Sequence, residues 1–264
     1  MIQHPFSHTG SRRSHTLRRL FAAALASFLF LAVPVSAQAA HSLPESAFAG
    51  IPDTDLYASP SVSTAERQFQ TSLWLSVPEN IRARMENDGV KVYLISASDD
   101  AIVSQTLKNS SSTGKKVTFV GLTTHPLYTA LSDGTVVRLS DGTIEIQTDL
   151  ASKSVDRTRL IHEIGHYVDS AAGSTAAKDF AISSSSTWKT LFAANESALL
   201  ATSAYAAVPD LYSASEGWAD AFRLLWTDPA ALQAISEDLF AYVYQQSIGL
   251  PVSGGDIAVS ALSS

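Results

Sequence analysis

The chain has 264 residues, carries a formal net charge of −7 at pH 7 and contains no cysteine. The acidic balance argues against nucleic acid or an anionic membrane as the main partner, because both repel negative charge. The absence of cysteine excludes disulfides, thiol nucleophiles and Cys-type zinc sites, so any zinc ion would need His, Asp or Glu ligands.

The first 39 residues have the pattern of a secretory signal peptide. Four arginines within residues 12–19 precede an apolar run over residues 20–35, and Ala37-Gln38-Ala39 is an A-x-A cleavage signature. A membrane anchor is the alternative, but the run is short for a span. Cleavage would leave about 225 residues, enough for one domain with its own core. We therefore expect a secreted protein, extracellular or periplasmic, without stable membrane association.

The mature chain begins with a segment that has no clear periodicity. Residues 40–62 indicate a flexible lead-in or a short pro-segment, and the folded domain is expected over residues 63–248, followed by a tail over 249–264. The first elements of that domain are a helix over 63–75 opened by a capping box at Ser63, a helix over 78–87, and strands over 90–95 and 117–122.

Two Ser-Asp-Gly-Thr sequences, at 132–135 and 140–143, predict hairpin turns, because both central residues of an Asp-Gly turn accept positive φ. The flanking segments LYTAL, TVVRL and TIEIQ would then form a three-stranded meander. Ile144 and Ile146 alternate with polar residues and should face the core. We expect a small twisted sheet that is mainly antiparallel.

After Thr148 the pattern becomes helical, which makes the expected fold class α+β with a helical carboxyl-terminal half. Ile161, Ile164 and Val168 lie on one helix face at i, i+3 and i+7. Further helices are expected over 196–207, from a cap at Ser215 to Leu225, and as one long last helix capped by Asp228, with Leu232, Ile235, Leu239 and Val243 facing the core.

The sequence His162-Glu163-Ile164-Gly165-His166 is an H-E-x-x-H motif on a predicted helix. Residues four apart share one side of a helix, with Cβ atoms about 5–6 Å apart. Both imidazoles can therefore reach one Zn²⁺ ion, and Glu163 is placed to act on a water molecule beside it. A glycine inside a helix costs about 1 kcal/mol relative to alanine, so Gly165 indicates that another backbone passes close by.

A catalytic zinc site needs a third protein ligand. His41 lies in the lead-in and His125 in a turn where an exposed role is the better interpretation. Glu216 and Asp220, one helical turn apart, offer a ligand and an acceptor for an imidazole N–H, unless both are solvated helix acids. Asp169, one turn after the second histidine, is equally consistent with such an acceptor and with an exposed helix-end acid.

HEIGHYVD, followed some fifty residues later by EGWADAFRLL, resembles the zinc peptidase family of anthrax lethal factor and the secreted Pro-Pro endopeptidases. The resemblance covers roughly residues 63–245 in general order and is detailed only in these two helices. It implies a zincin-like α+β fold and peptide-bond hydrolysis. The implied zinc ligands are His162, His166 and Glu216, and the implied general base is Glu163.

In that family a tyrosine shortly before the glutamate ligand steadies the oxyanion. Tyr205 matches the local pattern and Tyr212 lies nearer to Glu216, so both are candidates. Gly217 and Trp218 stand where the family has bulkier aromatic pairs, from which we expect a different cleft wall. Asp220 replaces the family's usual glutamate. A preference for Pro-Pro bonds is not carried across.

The sequence thus predicts a secreted, monomeric zinc metalloendopeptidase acting on peptide or protein substrates. An extended substrate is expected to pair with a sheet edge within residues 135–148. One alternative is a non-proteolytic zinc amidohydrolase. The other is a catalytically inactive, zincin-like binding protein, because a fold alone does not secure activity.

Overall fold

The computed structural model describes residues 45–96, 99, 106–107, 117–118, 121–124, 127–130, 136–140, 142–148, 157–171 and 181–250. The predicted signal peptide and nearly all of the predicted tail lie outside the described residues. So do His41 and His125, the two other histidines considered as ligands.

A five-stranded mixed sheet, in the order β1-β2-β3-β9-β6, is the centre of the amino-terminal half. Two of its ladders are parallel, β2 with β3 and β3 with β9, and two are antiparallel, β1 with β2 and β9 with β6. Two further antiparallel pairs are β4 with β5 and β7 with β8. The strands are β1 (Ala49–Gly50), β2 (Leu56–Ala58), β3 (Lys91–Ile95), β4 (Thr106–Leu107), β5 (Val117–Thr118), β6 (Gly121–Thr124), β7 (Leu127–Ala130), β8 (Val136–Ser140) and β9 (Thr143–Gln147).

Strands β1 and β2 lie inside the segment for which the sequence indicated a flexible lead-in. Leu56 and Ala58 are fully buried, and β2 pairs in parallel with the core strand β3. Three residues are too short a run for alternation to be recognised from sequence. Part of the predicted lead-in, strands β1 and β2, therefore belongs to the sheet.

The three-stranded meander is wrong in its last strand. β7 and β8 form the expected antiparallel pair, but β9 lies between β3 and β6, so both of its edges are occupied. Ile144 and Ile146 face the core as predicted, and on β3 they pair with Val92 and Leu94. The burial of these paired side chains outweighs the local hairpin signal in deciding where β9 pairs. Because β9 runs parallel to β3, the sheet is mixed and not mainly antiparallel.

The carboxyl-terminal half is helical, as predicted. Ser63 caps the first helix by accepting a hydrogen bond from the Glu66 amide at 3.2 Å. The single long last helix is wrong: it breaks at Ser236, which caps a new helix just as Asp228 caps the one before. The described α-helices are α1 (Thr64–Ser76), α2 (Glu79–Asn87), α3 (Arg159–Ala171), α4 (Ser186–Ala201), α5 (Ala214–Thr227), α6 (Pro229–Ile235) and α7 (Glu237–Ile248).

Three helix boundaries differ from the predictions in the region around residue 200. Helix α4 begins ten residues before the predicted Glu196, with Ser185 as its cap. It ends at Ala201, and short 3-10 turns cover Ala204–Ala207 and Pro209–Leu211. Helix α5 is capped by Ser213 and not by Ser215, since the Ser213 hydroxyl accepts from the Glu216 amide at 3.3 Å.

Helix α3 packs against both β6 and β9 of the sheet and against helix α5. Ile161, Ile164 and Val168 are fully buried, as predicted, but most of the remaining residues of α3 are buried as well. The helix is therefore an interior element and not a surface helix with one core face. In the described part of the chain, no helix combines the length and the apolar character that crossing a bilayer requires.

Candidate metal centre

Helices α3 and α5 meet at Gly165, next to the paired histidines. A Cβ atom at Gly165 would lie 2.9 Å from the Cα atom of Ala219 and 3.1 Å from the Cβ atom of Phe222. The predicted close backbone approach is thus confirmed. The Trp218 indole on α5 also donates to the Gly165 carbonyl at 2.9 Å, which fixes the register of the two helices.

The contact between these helices brings two histidines and a glutamate together. His162 Nε2 lies 3.1 Å from Glu216 Oε2, and His166 Nε2 lies 3.4 Å from the same oxygen. One ligand atom from each of the three residues falls within 4.8 Å of the others. Ligand atoms at 2.0–2.1 Å from a tetrahedral Zn²⁺ are roughly 3.3 Å apart, so the donor types and spacings fit a zinc ion.

Asp220 holds the imidazole of His162 from behind. Its Oδ1 atom lies 3.1 Å from His162 Nδ1, as predicted for an acceptor that fixes the tautomer and leaves Nε2 for a metal. Arg223 donates from Nε to the same carboxylate oxygen at 3.2 Å and from Nη2 to the Thr202 carbonyl at 2.9 Å. Asp220 is 2% exposed, so the solvated-acid alternative is wrong for this residue.

Asp169 is also buried, and the exposed-acid alternative is wrong for it too. Its carboxylate accepts from the Ser183 amide at 2.7 Å and from the Ser215 hydroxyl at 3.1 Å. Ser215 Oγ in turn lies 3.4 Å from His166 Nδ1. Asp169 thus reaches His166 through Ser215, a residue that the sequence analysis considered only as a helix cap.

The charges of this cluster are strongly coupled in the metal-free protein. Burial opposes the charged form of His162, but the Asp220 carboxylate outweighs it and raises the pKa of His162 to about 9. Burial also opposes ionisation of Glu216, but hydrogen bonds from both histidines lower the pKa of that carboxyl. A metal ion that binds Nε2 of His162 near neutral pH would therefore have to displace a proton from this imidazole.

The two candidate tyrosines occupy different positions. Burial, together with the nearby carboxylates of Glu216 and Glu163, raises the pKa of half-buried Tyr205, so its hydroxyl faces the ligand cluster. Tyr212 is buried, and burial and the carboxylate of Asp220 raise its pKa. The two rings are neighbours, with centroids 5.9 Å apart, but the Tyr205 hydroxyl interacts mainly with Glu216 and the Tyr212 hydroxyl mainly with Asp220.

The expectation that Gly217 and Trp218 form a different cleft wall is wrong. Both residues are buried, and a Cβ atom at Gly217 would overlap the ring of Phe192 on helix α4. The aromatic volume at this position comes from Phe192 and is directed into the core. The difference from the family at Gly217 and Trp218 therefore affects the packing of helix α4 against helix α5.

The cluster is open to solvent on one side only. The side chains of Glu216 and His166 are 20% and 16% exposed, whereas that of His162 is 2% exposed. A shallow groove between α4 and α7 lies elsewhere, and the residues that line it include one carboxylate, Asp238, and no histidine. The histidine-glutamate cluster is therefore the better candidate for a metal centre.

No protein-family model matches the chain, and no curated protein is significantly similar to it.

Proposed function

We propose that the chain is a zinc-dependent endopeptidase whose metal is held by His162, His166 and Glu216. The convergence of one atom from each of these residues within 4.8 Å, with both histidine nitrogens 3.1–3.4 Å from Glu216 Oε2, carries the proposal. When bound, Zn²⁺ would polarise the scissile carbonyl and lower the pKa of a bound water. The remaining chemistry belongs to side chains around the cluster.

Glu163 is the proposed general base. It follows His162 directly on α3, is 4% exposed, and lies close enough to Tyr205 for its charge to affect that hydroxyl. Its carboxylate would accept a proton from the attacking water and pass it to the leaving amine.

Tyr205 is the proposed oxyanion donor. Its hydroxyl, protonated at neutral pH, interacts with the carboxylates of both Glu216 and Glu163 and therefore lies near the proposed ligand and the proposed base. Tyr212 is the less suitable candidate because it is buried and its hydroxyl interacts mainly with Asp220, which already holds His162. Loss of such a donor costs about 2.7–4 kcal/mol of transition-state stabilisation in comparable enzymes.

Strand β6 is the proposed docking edge for an extended peptide. The earlier candidate range, 135–148, contains β9, which is paired on both sides, and β8, which belongs to a separate two-stranded sheet. β6 is one of the two edge strands of the five-stranded sheet as described, and it packs against helix α3, which carries both histidines. A substrate strand could therefore add to β6 with its backbone near the cluster.

We also propose that the protein is exported, on the basis of the signal-like residues 1–39. Amino-terminal sequencing of protein recovered outside the cytoplasm should give a mature start near Ala40. A start at Met1 would contradict export by cleavage.

The test of the proposed reaction is Glu163→Gln, assayed by zinc content and by cleavage of a proteome-derived peptide library. We expect full zinc content and no cleavage, because the amide keeps the shape of the side chain but cannot accept the proton. Glu196→Gln, at an exposed position on α4, is the matched control and should cleave like wild type.

Native-rate cleavage by Glu163→Gln would refute the mechanism. Zinc binding without internal cleavage products from the wild-type protein would favour the non-proteolytic amidohydrolase. A wild-type zinc content near zero, measured without chelator, would favour the inactive binding protein.

A further inference from the structure

The two histidines of the cluster have different partners on their outer ring nitrogens. His162 Nδ1 faces a carboxylate directly, at 3.1 Å from Asp220. His166 Nδ1 faces a hydroxyl, that of Ser215, at 3.4 Å, which is at the long end of hydrogen-bonding distance. The Ser215 hydroxyl lies in turn 3.1 Å from Asp169.

A metal on His166 Nε2 would set the direction of the hydrogen bond between His166 and Ser215. With Nε2 used as a ligand, Nδ1 carries the proton and donates to Ser215 Oγ. The Ser215 hydroxyl then donates its own proton to the Asp169 carboxylate. Asp169 is held in place by the Ser183 amide, which donates to its other oxygen at 2.7 Å.

Helix α5 does not need the Ser215 hydroxyl for its own formation. Ser213 is the cap, and its side chain satisfies the Glu216 amide. Ser215 is half-buried in the first turn, directly before Glu216, and its hydroxyl is directed at α3. Within the described part of the chain, this hydroxyl makes hydrogen bonds with His166 and Asp169.

We infer that Ser215 is a positioning residue that links the buried Asp169 carboxylate to His166 and so orients that imidazole for the metal. The inference rests on the proposed zinc site, and it assigns to Ser215 the part that Asp220 has for His162. Such outer partners fix the tautomer and the ring orientation, and their loss typically costs 10–100-fold in metal affinity.

The test is the Zn²⁺ dissociation constant of the full-length protein, measured by competition with a chelating dye. Ser215→Ala should weaken binding on the order of tenfold or more. Ser215→Thr keeps the hydroxyl and should restore most of the affinity. With Co²⁺ in place of zinc, the visible absorption of Ser215→Ala should differ from wild type, because His166 is no longer held in one orientation.

Ser236→Ala is the matched control. It removes a serine hydroxyl that caps helix α7, away from the cluster, so it should lower stability and leave zinc affinity unchanged. A combined Ser215→Ala and Asp169→Asn variant should bind zinc no more weakly than the weaker of the two single variants, because both changes break the same chain of hydrogen bonds.

Wild-type zinc affinity in Ser215→Ala, or fully additive losses in the double variant, would overturn the inference and leave the proposed function intact. A wild-type protein that binds no zinc would instead refute the proposed function, and this inference with it.

Discussion

Gly165 is the residue on which the approach of helices α3 and α5 depends. We predict that Gly165→Ala destabilises the protein by about 1–3 kcal/mol, because the added methyl group would meet the backbone of Ala219 at 2.9 Å and neither helix can yield easily. Urea unfolding measures the loss. The control is Gly50→Ala, whose added atom would lie 3.8 Å from the nearest atom and should change stability little.

A Gly165→Ala protein of wild-type stability would show that the two helices can separate without cost. Since that separation would also move Glu216 away from the histidines, zinc affinity should fall together with stability in this variant.

At the residue scale the sequence predicted much of the cluster. Side-chain type and helical spacing were enough to predict four members of the cluster, and the structure brings them together: His162, His166, Glu216 and Asp220. The sequence did not predict that Ser215 links Asp169 to His166, because serine is common in the first turn of a helix. The choice between the two candidate tyrosines depended on where a loop folds, which spacing alone does not determine.

Packing between helices α4 and α5 has its own test at Gly217. Gly217→Ala should destabilise the protein, since the new methyl group would overlap the Phe192 ring, which packs against Trp188 and Tyr212. Combining it with Phe192→Leu should cost less than the sum of the two single changes, because the smaller side chain leaves room for the methyl group. Urea unfolding of the four proteins completes the cycle.

Strict additivity of Gly217→Ala and Phe192→Leu would mean that the two residues do not compete for the same space. Helix α4 would then not be the element that fills the gap left by the glycine.

At the element scale, helices with local signals were predicted well and strand pairing was not. The Ser63 cap and the helical period of α3 act within a few residues, and both are present in the structure. The position of β9 depends instead on β3, some fifty residues earlier in the chain. The Asp-Gly turn before β9 does not predict its pairing with the distant strand β3, because that pairing depends on burial across the whole sheet.

At the scale of the whole molecule, the raised pKa of buried His162 should make the stability of the metal-free protein fall at alkaline pH. Its folded-state pKa of about 9 lies above the ordinary value of 6.5, so its contribution is complete below pH 6.5 and is lost as pH rises through 9. A shift of this size corresponds to about 3 kcal/mol. Metal-free protein should therefore lose stability between about pH 6.5 and 9.

Zinc binding should have the opposite pH dependence over the same range. A ligand imidazole must be neutral, so affinity should increase as His162 loses its proton, and binding near pH 7 should release a proton. Urea unfolding with a chelator, and calorimetric zinc titration in buffers of different ionisation enthalpy, measure the two effects. Metal-free stability that is constant or rising from pH 6.5 to 9 would contradict the assigned protonation of His162.

The most direct test of the account is an anomalous difference map, collected at the zinc absorption edge from crystals grown with zinc. We predict one peak, at about 2.0–2.2 Å from Nε2 of His162, Nε2 of His166 and a carboxylate oxygen of Glu216. A map without a peak among these three residues, or with a zinc ion there that Glu216 does not bind, would contradict it.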